Sequence, residues 1–109
     1  VNVVGGLQVA EPAADLAIAL AIASSVKDAP VLSGLAAVGE VGLSGELRSV
    51  GQMERRLAEV AQLGFEACLL PQSALERTRG DFGLRLLGAP TVAQAVRLGL
   101  QPKGKQDVQ

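Results

Sequence analysis

Three lysines, one cysteine and eleven carboxylates are the groups in this chain on which a reaction could be built, and there is no histidine. Without an imidazole, neither a Ser-His-Asp nor a Cys-His arrangement can be assembled. A serine activated by lysine would need that lysine held in the fold, its pKa lowered by burial. The lysines are Lys27, Lys103 and Lys105, so none lies between Asp28 and Pro102, and the last two stand in a polar terminus. Cys68 sits in the apolar run Ala67-Cys68-Leu69-Leu70, where a thiol packs as a small hydrophobe. A lone cysteine excludes an intramolecular disulfide, and without histidine it excludes ordinary zinc sites. Glu40 and Glu46 flank a turn, where paired carboxylates are solvated charges. Gly5-Gly6 belongs to neither GxxxxGK[ST] nor GxGxxG, so it is no phosphate cradle.

Arginine remains, and with it phosphate contact. The net charge is −1, from 10 basic and 11 acidic residues. A free-standing nucleic-acid binder shows a basic excess, because phosphate neutralisation dominates its affinity. Contact here must therefore come from a local patch, or from a patch repeated over several subunits. Arg77 and Arg79, close together beside Gly80, are the favoured pair. Lys27, Arg48, Arg55 and Arg56 are further candidates, each of which could equally be a solvated or ion-paired surface group; Arg55 and Glu59 have the i,i+4 spacing of a weak pair. Lys103 and Lys105 could add weak nonspecific contact. The two aromatics, Phe65 and Phe82, are expected in the core, so binding would be phosphate-led and sequence-independent rather than built on base stacking.

The elements that must position these groups follow from patterning. With 109 residues, 49% apolar, the chain suffices for one core. Val1–Val4 and Leu7–Val9 read as short strands. Glu11-Pro12-Ala13-Ala14-Asp15 reads as a helix entry, with proline in the first turn and acids near the positive end of the dipole. The helix runs to about Val26 and is apolar nearly all round, which predicts burial on most sides, in part against other subunits. Val31–Leu35 connects it to a central unit. There, two strands (38–43 and 46–50) flank Ser44-Gly45. A helix follows with Met53, Leu57, Val60 and Ala61 on one face, and Gly64 at its C-terminus. The run Ala67–Leu70, stopped by Pro71, is the pattern of a buried strand. Ser73 is the expected N-cap of a short helix over 74–77, followed by a polar, exposed loop. Leu84–Leu87 reads as a strand. Thr91 caps a last amphipathic helix through Val92, Ala95, Val96 and Leu98. Residues 101–109 are expected to be a flexible tail after a domain over 1–100. The class is α/β (α+β), helices packed on a mixed sheet. The most apolar stretch, Leu16–Ala23, is too short to span a bilayer, and no charged segment precedes it as in a signal peptide, so a cytoplasmic protein without membrane contact is expected. The chain opens in mid-strand without methionine, the expectation for a domain of a longer protein.

Several segments carry a resemblance in order and spacing: VNVVGGLQVAEPAADLAIALAIASS, then GEVGLSGELRSVGQMERR, then GFEACLLP. Together they resemble the proteolytic domain of Lon-type proteases, and still more the Lon-protease-like C-terminal domain of the RadA (Sms) family of bacterial DNA-repair proteins. The resemblance implies a ribosomal-protein-S5-domain-2-like fold over about residues 1–100. Lon-type proteases carry their serine in a PSAG-like segment, which here is Pro12-Ala13-Ala14-Asp15, with Ala13 at the serine position. Their lysine lies in a GGLKEK-like segment, here Gly51-Gln52-Met53-Glu54-Arg55-Arg56, with Glu54 at the lysine position. Both dyad members are absent, so the resemblance implies a domain that is no peptidase, and Asp15 and Glu54 would remain as a polar patch.

It further implies a ring-forming, typically hexameric, scaffold of a RecA-like DNA-repair ATPase in recombination, near single-stranded or branched DNA. The zinc finger and ATPase of that family are not in this chain, which has no Cys-x-x-Cys pair and no P-loop. ATP, magnesium and zinc are expected in those parts, and no cofactor in this one. Three readings stand at this point: an inactive oligomerising and DNA-binding scaffold, a purely structural interaction module, and a residual serine peptidase.

Overall fold

The computed structural model of this chain describes residues 2–4, 7–9 and 11–102. Their order is β1 (Asn2–Val4), β2 (Leu7–Val9), a 3-10 turn (Pro12–Ala14), α1 (Asp15–Lys27), β3 (Leu35–Ala37), β4 (Glu40–Val41), β5 (Leu47–Arg48), α2 (Met53–Gln62), β6 (Ala67–Pro71), α3 (Gln72–Arg77), β7 (Arg85–Ala89) and α4 (Val92–Gly99). Three strands form a parallel sheet in the order β3-β6-β7, while β1-β2 and β4-β5 are separate antiparallel pairs. The α/β class is thus observed, with both strand directions present.

β6 is the axis of the fold because its run of apolar residues suits a strand buried on both faces. All five of its residues are buried. Side chains alternate along a strand, and here they divide two cores. Leu69 joins Leu16 and Leu20 of α1 and Ala95 of α4 on one face. Cys68 and Leu70 join Met53 and Leu57 of α2 and Ala74 of α3 on the other. Helices therefore cover both faces. Gly99 is what lets α4 lie so close: a Cβ there would stand 3.2–3.4 Å from Leu20, Leu35 and Leu69.

Several elements differ from the sequence expectation. Val31–Leu35 is not simply a connection, for Leu35 opens β3, and Val31 bridges to Leu100. The hairpin strands shrink to two residues each; before β4 the amides are bonded elsewhere, Val38 N–H to the Leu69 carbonyl and Gly39 N–H to Ala13, and Leu47 at the start of β5 donates outward to Pro90. Ser73 lies inside α3 rather than capping it, since the helix begins at Gln72 directly after Pro71. On α1 only Leu16 and Leu20 are buried. On α4 the buried residues are Ala95 and Gly99, while Leu98 is exposed. Phe65 is exposed too, in the turn before β6, whereas Phe82 packs on the second core. Gly64, at φ +96°, ends α2 as expected, and Thr91 caps α4 by accepting the Gln94 N–H at 3.2 Å. Gly5-Gly6, Lys103 and Lys105, and most of the expected tail lie outside the described residues.

Candidate functional site

The two residues at the dyad positions are set in unlike surroundings. Ala13, in the 3-10 turn, is 6% exposed and packs in the second core, while its carbonyl accepts the Gly39 N–H at 2.9 Å. Glu54 is exposed in the first turn of α2, and its Oε2 accepts the backbone N–H of Arg79 at 2.8 Å. Asp15 instead accepts the N–H of Val41 at 3.1 Å. The carboxylates of Asp15 and Glu54 are each engaged by a different backbone donor, one fastening α1 to β4, the other fastening α2 to the loop after α3.

That loop and the start of α2 form an open cleft of about 400 Å³ lined by Ser49, Gln52, Glu54, Arg55, Arg77 and Thr78, among others. Local sequence explains its walls. Gln52 takes a left-handed conformation, φ 58°, and turns the chain sharply into α2. Arg56 holds that turn by donating from Nε to the Gly51 carbonyl at 2.8 Å and from Nη2 to Glu11 Oε1 at 3.1 Å. On the other wall, the Thr78 hydroxyl donates to the Ala74 carbonyl at 2.6 Å and closes α3.

The cationic candidates separate by what already holds them. Arg55 pairs with Glu59 at 3.6 Å, as its spacing predicts, and donates to Gln52 Oε1 at 3.2 Å. Arg48 donates to Glu46 at 2.7 Å. The Glu46 carboxyl lies below the ordinary carboxylate value, first because its own backbone N–H donates to it, then through Arg48. The Arg79 guanidinium turns back onto the carbonyls of Glu76 and Thr78, both at 3.3 Å. The Arg77 guanidinium has no hydrogen bond or ion pair among the described residues, and it lines the cleft together with Arg55. The structure thus brings Arg55 and Arg77 to one cleft, with Arg56 beside Arg55 on a neighbouring groove, while Arg79 does not line the cleft. Arg48 and Lys27 are not part of this cleft. Lys27 lines a second, more apolar one of about 640 Å³ with Val96, Arg97 and Leu100.

Arg85 and Arg97 are exposed cations that sequence reasoning passed over; neither has an ion pair among the described residues. A signal existed, since each breaks the apolar pattern of its element at an outward position. Cys68 is fully buried, and desolvation pushes its thiol up to about 12. Among the described residues no group of three or more His, Cys, Asp or Glu could hold a metal ion, and no helix is long and apolar enough to cross a membrane.

Comparison with known proteins bears on what this arrangement serves. The family model described as subunit ChlI of Mg-chelatase matches residues 2–74, from β1 into α3. The chain belongs to that family. It is also similar to DNA repair protein RadA of Bacillus subtilis (strain 168), 41% identical over 99 residues, covering 91% of this chain and 22% of that protein. RadA of Streptococcus pyogenes serotype M3 is 43% identical over 93 residues, covering 85% of this chain and 20% of that protein. RadA of Mycolicibacterium smegmatis is 43% identical over 96 residues, covering 88% and 20%. The resemblance to the RadA family read from the sequence is thereby shown, and the chain spans about a fifth of the length of these relatives.

Proposed function

We propose that this chain is a non-catalytic domain of a DNA-repair protein, contributing self-association and a phosphate-contacting surface that works without sequence preference. What carries the reading is similarity to RadA proteins over 85–91% of the chain, joined to a cleft in which the Arg77 guanidinium has no partner among the described residues. At net charge −1, one copy offers DNA little overall attraction, so binding gains from several copies, as in a ring, arraying the Arg55/Arg77 cleft along a backbone. Alanine and glutamate at positions 13 and 54 supply neither nucleophile nor lysine base, which supports a non-peptidase role.

The residues here do not suit the cofactors of a repair ATPase: there is no P-loop, no histidine, and one cysteine whose thiol stays protonated and buried. ATP, magnesium and zinc are accordingly assigned to residues beyond this chain, in a protein working in the cytoplasm. Fluorescence anisotropy of labelled single- and double-stranded oligonucleotides over a salt series tests the reading. Affinity should fall steeply with salt, and Arg77→Ala should weaken binding on all sequences while reducing the salt slope by about 1. No binding at low salt would remove DNA contact and favour the second reading, a structural interaction module. The observation on that side is the exposed apolar face of α1, with Ile22 at 60% and Val26 at 80% exposure.

A further inference from the structure

We infer that Glu54, at the position where the protease resemblance places a catalytic lysine, is a positioning residue: it latches the loop after α3 to α2 and so fixes where Arg77 presents its guanidinium. The consequence for DNA rests on the phosphate-contact reading above, whereas the latch itself is a matter of geometry. Residues 78–84 bond mainly to themselves or to the helix they leave. Thr78 N–H donates to the Leu75 carbonyl at 3.2 Å and its hydroxyl to Ala74, while Gly83 N–H donates to Asp81 Oδ1 at 3.0 Å. Among the described residues, one hydrogen bond carries this loop to a different part of the fold, from Arg79 N–H to Glu54 Oε2 at 2.8 Å across 25 residues of sequence. Phe82 and Leu84 pack on the second core further along, so the loop's far end is held by apolar contact and its near end by Glu54.

Arg77 and Arg79 then have different duties although they are two residues apart. Arg79 finishes α3, its guanidinium on the carbonyls of Glu76 and Thr78 and its N–H on the latch. Arg77, the last residue of α3, is left to face the cleft. Because α3 is short and ends where the latch begins, loosening Glu54 frees the wall on which Arg77 stands.

The sign of the effect separates this from a plain surface charge. Glu54 is an anion lining the cleft, so by Coulomb repulsion alone its removal should tighten binding to a polyanion. A latch gives the reverse for Glu54→Ala, which removes the acceptor. Glu54→Gln keeps a carbonyl oxygen of the same reach while discarding the charge, and it should bind DNA at least as well as the wild type. The test is anisotropy with single-stranded oligo-dT for the wild type and both variants, alongside amide hydrogen exchange of Arg79 by NMR. Expected is several-fold weaker binding for the alanine variant, rescue by glutamine, and loss of Arg79 protection in the alanine variant while amides of β6 stay protected. An alanine variant that binds as tightly as the glutamine variant, or an Arg79 amide indifferent to Glu54, would overturn the inference. Loss of Arg79 protection in a chain that binds no DNA would support the latch and remove the DNA reading instead.

Discussion

The thiol of Cys68 is pushed to about 12 because a thiolate there would lie among Leu70, Leu57 and Met53 with no compensating cation. A raised pKa means that the folded chain holds this proton more tightly than the unfolded one. The contribution to stability is complete below the ordinary thiol value of 9.0 and is lost as pH climbs from there toward 12. At about 1.4 kcal/mol per pH unit, the loss reaches about 2 kcal/mol by pH 10.5. The chain has no tyrosine and three lysines, so few other groups blur this window. Thermal melts at pH 7.5 and 10.5 should show a larger fall for the wild type than for Cys68→Ala, and equal falls would refute the assignment. The core role of this residue was legible because its neighbours in sequence are apolar. The bond between Glu54 and Arg79 was not, because nothing local links positions 25 apart.

Helix ends show the same division between local and distant causes. α2 stops at Gly64, whose φ of +96° glycine adopts without cost, whereas α1 stops at Asp28, which takes φ 53° with a side chain. Asp28 also sets a negative charge at the negative end of the helix dipole. Replacing Asp28 by glycine should therefore stabilise the fold by about 0.5–1 kcal/mol, visible as a rise of a few degrees in the melting temperature; a fall would show that Asp28 has a partner role that outweighs its strain. The amphipathic period of α2, the apolar run of β6 and the Thr91 cap were all readable, since each is a statement about near neighbours. β3 escaped because Leu35-Ala36-Ala37 has no pattern of its own and becomes a strand by pairing in parallel with residues 67–69. The long hairpin failed for the converse reason: its local pattern was sound, but contacts with Leu69, Ala13 and Pro90 took its amides.

Taken as one body, the described residues leave a continuous surface uncovered. Between Asp15 and Lys27 the helix α1 carries no charge, and Ala17, Ala21, Ile22 and Val26 are exposed. Beside it runs an apolar groove of about 340 Å³ lined by Leu20, Ala21, Leu35, Ala37 and Phe65, among others. β3 is the edge of its sheet on that side: Val38 N–H and the Gly34 carbonyl turn toward β6, so the alternating amide of Ala37 faces outward, while that of Leu35 donates to the Leu32 carbonyl at 3.3 Å. An apolar helix face next to a strand edge is a surface that proteins cover. If a second copy covers it, supplying the self-association proposed above, light scattering after size exclusion should give a mass above the monomer at micromolar concentration. Ile22→Glu with Val26→Glu should restore the monomer without changing the circular dichroism spectrum, because neither side chain is in the core. DNA affinity should fall in the same variant, since arrayed clefts bind by avidity. A wild-type monomer would refute self-association through this face. It would instead assign the cover to residues outside this chain, which spans only a fifth of its RadA relatives.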